Sequence, residues 1–300
     1  MGDAEKGTAP APQWSAHEQT DKAVLVRLPM LRRLPRALRV HVPSWRQLPR
    51  QPGAPAPAAG RPVPQRLPLA LAADPSRWRQ DPLRIEEGVA AQVFGRDGHA
   101  CRFCGFQAEG HQEVVRLDAG QGRPVLAGLA TACPPCHDCR HLGRDGMEQG
   151  YAVIWLPEAS QAVLNHLVRA VHLVLHEHGE PPHMAERPIS DAPPLRSAFN
   201  SYRALAGRMA QARSRIGTTS PRELGEALIG LPPAALAKGA GLTSGLRLLP
   251  RGRLLRDGED IYPDLLDAWT AEGGPCHGLL KAQLGRQSRN PVPPSLELPP

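Results

Sequence analysis

Apolar residues recur at i, i+4 and i+8 in Ile85, Val89 and Val93, with Phe94 beside them, and that spacing places one stripe along a helix. Asp81 and Pro82 supply a cap and a first-turn proline, so the helix is predicted from there to about Gly95. Residues 67–72 read as a short strand. Residues 113–117 and 126–132 read as a hairpin, joined through the Gly-Gln-Gly turn at 120–122 and Pro124. The clearest strand is Tyr-Ala-Val-Ile-Trp-Leu at 151–156, rich in aromatic and β-branched side chains. Pro157 ends it and opens the longest apolar helix, 158–178, which Gly179 closes. A helix basic along one side is predicted over 195–216. Another follows over 221–229, opened by a capping box of Ser220 and Glu223. Glycine and proline then interrupt the pattern until 261–270, a short helix with Leu265, Leu266 and Trp269 on one side.

Composition limits how much of the chain this pattern can organise. Only 4% of the 300 residues are aromatic and 34 are proline. Residues 1–66 hold 11 of those prolines and 11 Lys or Arg against 4 Asp or Glu, so the whole net charge of +7 lies there. Such a stretch buries too little apolar surface to offset its ordering entropy, and it is predicted to be a disordered basic, Pro-rich arm. Within it, Leu25, Leu28, Leu31, Leu34, Leu38 and Trp45 alternate with arginines, while Pro29, Pro35 and Pro43 prevent one continuous helix. Two readings stay open: an arm that docks on an acidic partner, nucleic acid or membrane, or a solvated tail with incidental leucines. The expected organisation is the arm at 1–66, a core at 67–179, a linker at 180–194, a helical extension at 195–272 and a flexible tail at 273–300. No run of about 18 apolar residues and no signal-peptide pattern occur, so the expectation is a cytoplasmic protein without a membrane span.

The chemistry concentrates between Arg96 and Arg140. Cys101 and Cys104 form one Cys-x-x-Cys pair, and Cys133 and Cys136 form another. Each such pair puts two thiolates on one tight turn, and two turns can meet on a tetrahedral zinc ion about 2.3 Å from every sulfur. Disulfides or inert buried thiols are the competing reading. Cys139 creates a second register with Cys136 and is an alternative ligand, whereas Cys276 stands apart. His172 and His176 share a helix face at i, i+4, which could hold a second metal or be two ordinary histidines. No P-loop, dinucleotide fingerprint, nucleophile elbow or repeat is present.

A hairpin between the two Cys pairs, then the second pair and a short polar segment, resembles the ββα-metal core of the HNH nuclease superfamily. In that superfamily a catalytic His ends the first strand, an Asn precedes the second pair and a His follows it. Here those positions are Arg116, Gly128 and His137. An arginine stays protonated and can neither act as a base nor ligate a cation, so the resemblance implies a nuclease scaffold without its machinery.

A closer resemblance lies in Arg96-Asp97, the Cys-Arg-Phe-Cys-Gly-Phe-Gln run at 101–107, Glu-Val-Val-Arg-Leu-Asp at 113–118, the run from Ala130 to Cys139, and Ile-Trp-Leu-Pro-Glu at 154–158. These strings resemble the DotN/IcmJ family, soluble components of the type IVB (Dot/Icm, conjugation-related) secretion system. The resemblance covers about residues 67–230, more weakly to 272, and not the arm. It implies an α+β fold: a small zinc-bound, HNH-like core with flanking helices. It further implies a non-catalytic adaptor, with one structural zinc on Cys101, Cys104, Cys133 and Cys136, bound to the cytoplasmic C-terminal tail of the coupling ATPase and thereby to an inner-membrane complex. The rival readings are an HNH-type endonuclease and a nucleic-acid-binding zinc module. The neutral folded part makes nucleic acid the less expected partner.

Overall fold

In the computed structural model, residues 67, 69–71, 85–117, 125–183, 192–232 and 243–277 are described. The arm at 1–66, the helix start at Asp81 and Pro82, the turn at 120–122, the middle of the 180–194 linker and the tail beyond 277 lie outside them. The described chain is mixed α+β, with three small two-stranded antiparallel sheets.

Helix α1 (Glu87–Asp97) buries Val93 and Asp97 and ends at Gly98, whose φ of 62° suits a residue without Cβ. It opens on Glu86, since Ile85 and Glu86 are not helical. Strand β1 (Glu113–Arg116) pairs with β2 (Leu129–Ala132), Glu113 opposite Ala132 and Arg116 opposite Leu129. Asp97 fastens α1 to this hairpin. Its carboxylate accepts from Thr131 N at 2.9 Å, from Arg96 Nε at 2.9 Å and from Arg102 Nη1 at 3.3 Å. Residues 67 and 69–71 form no strand. Instead Ala70 N donates to Cys139 O and Leu142 N to Ala70 O, both at 2.9 Å, so this segment is satisfied by the turn after the second Cys pair.

Beyond that turn come α2 (Pro134–Asp138), α3 (Met147–Gly150) and strand β3 (Tyr151–Trp155). The partner of β3 is β4 (Leu246–Pro250), with Tyr151 opposite Pro250 and Trp155 opposite Leu246. This strand falls in the stretch where glycine and proline suggested no element. Its short Leu-Arg-Leu-Leu run becomes a strand only by meeting β3 and packing both faces. Val153 and Leu248 enter the main core, while Ile154 and Leu249 enter a second cluster with Leu164, Val168 and Leu205. Gln161 also bonds β4, accepting from Leu248 N at 2.8 Å and donating to Leu248 O at 2.7 Å.

Helix α4 (Gln161–Glu177) begins at Ser160, whose Oγ accepts from Val163 N, three residues later than expected from Pro157. The predicted helix over 195–216 is two: α5 (Pro193–Ala206) and α6 (Met209–Ile216). At the break the Arg208 carbonyl accepts from Trp155 N as well as from Ala212 N, and the Arg208 side chain pairs with Glu158. Helix α7 (Pro221–Ile229) is capped by Ser220 Oγ accepting from Glu223 N at 3.2 Å. The reciprocal half of the box is rewired, because Glu223 takes the Thr218 hydroxyl and Thr218 Oγ1 accepts from Ser220 N. Strands β5 (Leu255–Arg256) and β6 (Glu259–Asp260) form a hairpin, and α8 (Tyr262–Thr270) buries Leu265, Leu266 and Trp269. No helix among the described residues is long and apolar enough to cross a membrane.

Candidate metal centre

Local backbone bonding shapes both Cys-x-x-Cys turns. In the first, Gly105 at φ 75° turns the chain so that its N–H donates to Cys101 O at 2.8 Å and Cys101 N donates to Phe106 O at 2.9 Å. Arg102 N donates to Thr131 O at 2.8 Å, which ties this turn to β2. In the second, Cys133 is the extended residue before α2, Pro134 fills the first helical position, and Cys136 N and His137 N both donate to Cys133 O at 2.9 Å.

The four sulfurs of Cys101, Cys104, Cys133 and Cys136 lie within 4.8 Å of one another, and Cys104 Sγ and Cys133 Sγ are 3.6 Å apart. Four thiolates on one tetrahedral ion at about 2.3 Å would stand about 3.8 Å apart, so the set fits a metal ion. All six cysteines are free of disulfides. Neighbouring thiol groups hold the Cys104 thiol well below its usual range, while burial, reinforced by those neighbours, pushes Cys133 and Cys136 well above theirs. Four dry sulfurs cannot all ionise together unless a cation sits among them. Cys139 is outside this group: its Sγ donates to Pro135 O at 3.1 Å, and burial keeps it a neutral thiol. Cys276 is a buried thiol whose backbone N donates to Trp269 O at 2.8 Å.

The centre rests on helix α4. Asn165 Nδ2 donates to Cys136 Sγ at 3.2 Å, and His166 Nε2 donates to Cys104 O at 2.7 Å. Arg169 reaches Cys133 Sγ at 3.6 Å. Reading by motif overlooked Asn165 and Arg169. The available signal was a polar side chain at i and i+4 on the face of α4 that is otherwise Leu and Val. The paired His172 and His176 turn to separate partners instead, His172 to the Tyr262 hydroxyl at 2.8 Å and His176 to Asp267 Oδ1 at 2.9 Å.

A second convergence lies beside the first. His137 Nδ1 is 3.2 Å from Glu113 Oε2 and 3.5 Å from Asp138 Oδ1, and its ring stacks on His141 at 4.2 Å. These three residues could offer ligand atoms to a cation. The carboxylates already have cations, however. Arg256 from β5 donates to Glu113 through Nε at 2.7 Å and Nη2 at 3.0 Å, and to Asp138 Oδ1 at 2.9 Å, while Arg144 reaches the same oxygen at 3.3 Å. Burial alone would raise the Asp138 carboxyl, but Arg256 and Arg144 hold it well below the carboxylate range. Arg116 ends β1 and Gly128 lies in the short 3-10 turn before β2, so neither of these two positions supplies a base or a ligand.

No family model matches the sequence. Over 194 residues the chain is 31% identical to the type 4 apparatus protein DotN of Legionella pneumophila, an alignment that takes in 62% of this chain and 85% of that protein.

Proposed function

We propose, on the premise that the chain belongs to the DotN family of type 4 apparatus proteins, that it is a non-catalytic, zinc-stabilised adaptor of a type IVB secretion coupling complex. In this reading zinc is held by Cys101, Cys104, Cys133 and Cys136 in an HNH-like ββα-metal core. The ion supplies folding energy, on the order of 10 kcal/mol at neutral pH for small structural sites. The observation that carries the non-catalytic reading is the state of the neighbouring cluster. The hairpin and short helix that would present a nuclease cation instead present Glu113 and Asp138 to the Arg256 guanidinium. With arginine at 116 as well, the strand-end position supplies neither the general base nor the metal ligand of strand cleavage.

The partner is the cytoplasmic C-terminal tail of the coupling ATPase, which places the protein in the cytoplasm beside an inner-membrane complex. A tail segment that orders on binding gives a large negative heat-capacity change. Helix α4 is buried over most of its length, so the α5 side is the better contact face. Pull-down of that tail by the zinc-loaded full chain at micromolar concentration and low salt tests the assignment. Failure to retain it, or divalent-dependent DNA cleavage that vanishes in His137→Ala, would overturn the adaptor reading.

A further inference from the structure

Arg169 is 5% exposed, and no carboxylate pairs with it among the described residues. A guanidinium taken from water without an anion costs several kcal/mol, so its position requires an explanation. Its surroundings are two rings, one imidazole and sulfur. The guanidinium carbon sits 3.7 Å above the Phe106 ring and 5.5 Å from Trp269. Nη1 donates to His166 Nδ1 at 3.2 Å, which leaves His166 Nε2–H to donate to the Cys104 carbonyl. Nη2 points at Cys133 Sγ at 3.6 Å, and Nε has no hydrogen-bond partner. The rings contribute a weak attraction, and the imidazole contributes a neutral acceptor. Only the thiolates can contribute negative charge.

We infer that Arg169 is the counter-cation of the four-thiolate metal centre. Four thiolates around a divalent ion leave two negative charges in a dry interior, and a fixed guanidinium on the sulfur side offsets one of them. Asn165 completes the arrangement from one helical turn earlier by donating to Cys136 Sγ. Helix α4 therefore does more than cover the centre: it sets how much charge the sulfurs carry, and so how tightly they hold the ion. The Phe106 and Trp269 rings, 5.2 Å apart and edge-on, keep the guanidinium in place and connect it to α8.

This rests on the zinc reading, and the test separates the two. Zinc affinity is measured on the full chain by competition with a chromophoric chelator, and the sulfur-to-metal charge-transfer band is recorded after cobalt(II) substitution. Arg169→Met should weaken zinc by about 10–100-fold and move the band to lower energy, because the sulfurs lose a positive neighbour. Arg169→Lys, which keeps the charge, should recover part of the affinity and return the band towards its original place. Asn165→Leu should shift the band in the same direction by less. A role in packing alone would lower stability and leave the band unmoved. Folded Arg169→Met with unchanged affinity and band overturns the inference. Should that variant not fold, unchanged affinity and band in both Arg169→Lys and Asn165→Leu overturn it equally. If the original chain binds less than half an equivalent of either metal, the zinc reading itself fails and this inference falls with it.

Discussion

Replacing Arg256 by Met removes the cation shared by Glu113 and Asp138 while keeping most of the apolar stem. Arg256 makes its two-point contact with Glu113 at 2.7 and 3.0 Å and reaches Asp138 at 2.9 Å. The side chains are 17% exposed for Arg256, 26% for Glu113 and 0% for Asp138, so the Asp138 carboxylate cannot be rescued by water. Breaking a buried pair by deleting one partner costs about 3–5 kcal/mol. Arg144 still faces Asp138 at 3.3 Å, which sets the expectation at the lower end, about 3 kcal/mol. For a folded part of this size that is a fall of roughly 6–12 °C in melting temperature. Calorimetry of the full chain at neutral pH with zinc present measures it. Adding Asp138→Asn to Arg256→Met should return part of the loss, because the buried charge goes with its partner. An unchanged melting temperature in Arg256→Met, or a double variant weaker than the sum of the singles, would refute the account of this cluster.

Three further outcomes follow from other contacts. Cys101→Ser should give insoluble or protease-labile protein, whereas Cys139→Ser should keep its full metal content, as read by elemental analysis; metal lost in Cys139→Ser and kept in Cys133→Ser would mean that the Cys139 register is the ligand set. Asp97→Asn should destabilise by about 2 kcal/mol at neutral pH, the size of a charge-assisted bond. Burial alone would raise the Asp97 carboxyl, but the bonds from Arg96 and Thr131 outweigh it and leave it lowered in the fold. Its stabilisation is therefore present above the unfolded value of about 3.9 and lost as pH falls through the folded one. The gap between variant and original should close below about pH 4, and a gap independent of pH would contradict this. Gly225→Ala should destabilise by about 1–3 kcal/mol in urea titration, a typical overpacking cost. Its Cβ would stand 2.7 Å from Gly143 Cα, which is backbone and cannot swing aside.

What the sequence disclosed and what it withheld divide by range. The two Cys-x-x-Cys turns, β1, β3 and the capped helices α4 and α7 are local features, written in spacing, β-branching and capping residues within a few positions of each other. Strand β4 escaped notice because its five residues acquire a strand's environment only against β3, far upstream in the chain, and Arg247 interrupts their apolar pattern. At the break between α5 and α6 the Arg208 carbonyl meets Trp155 N of β3 and the Arg208 side chain meets Glu158, contacts invisible in the helix's own residues. Asn165 and Arg169 read as ordinary polar positions on a long helix. Only when the second Cys pair is folded onto that helix do they meet sulfur. The Arg256 clamp likewise joins side chains that the chain order keeps far apart.

Elemental analysis of the purified full chain tests directly for one metal ion at the four cysteines. One equivalent of zinc per chain is expected, retained through gel filtration and released together with the folded state when a strong chelator is added. Less than half an equivalent, or a chain that keeps its fold and melting transition after complete removal of the metal, would contradict it.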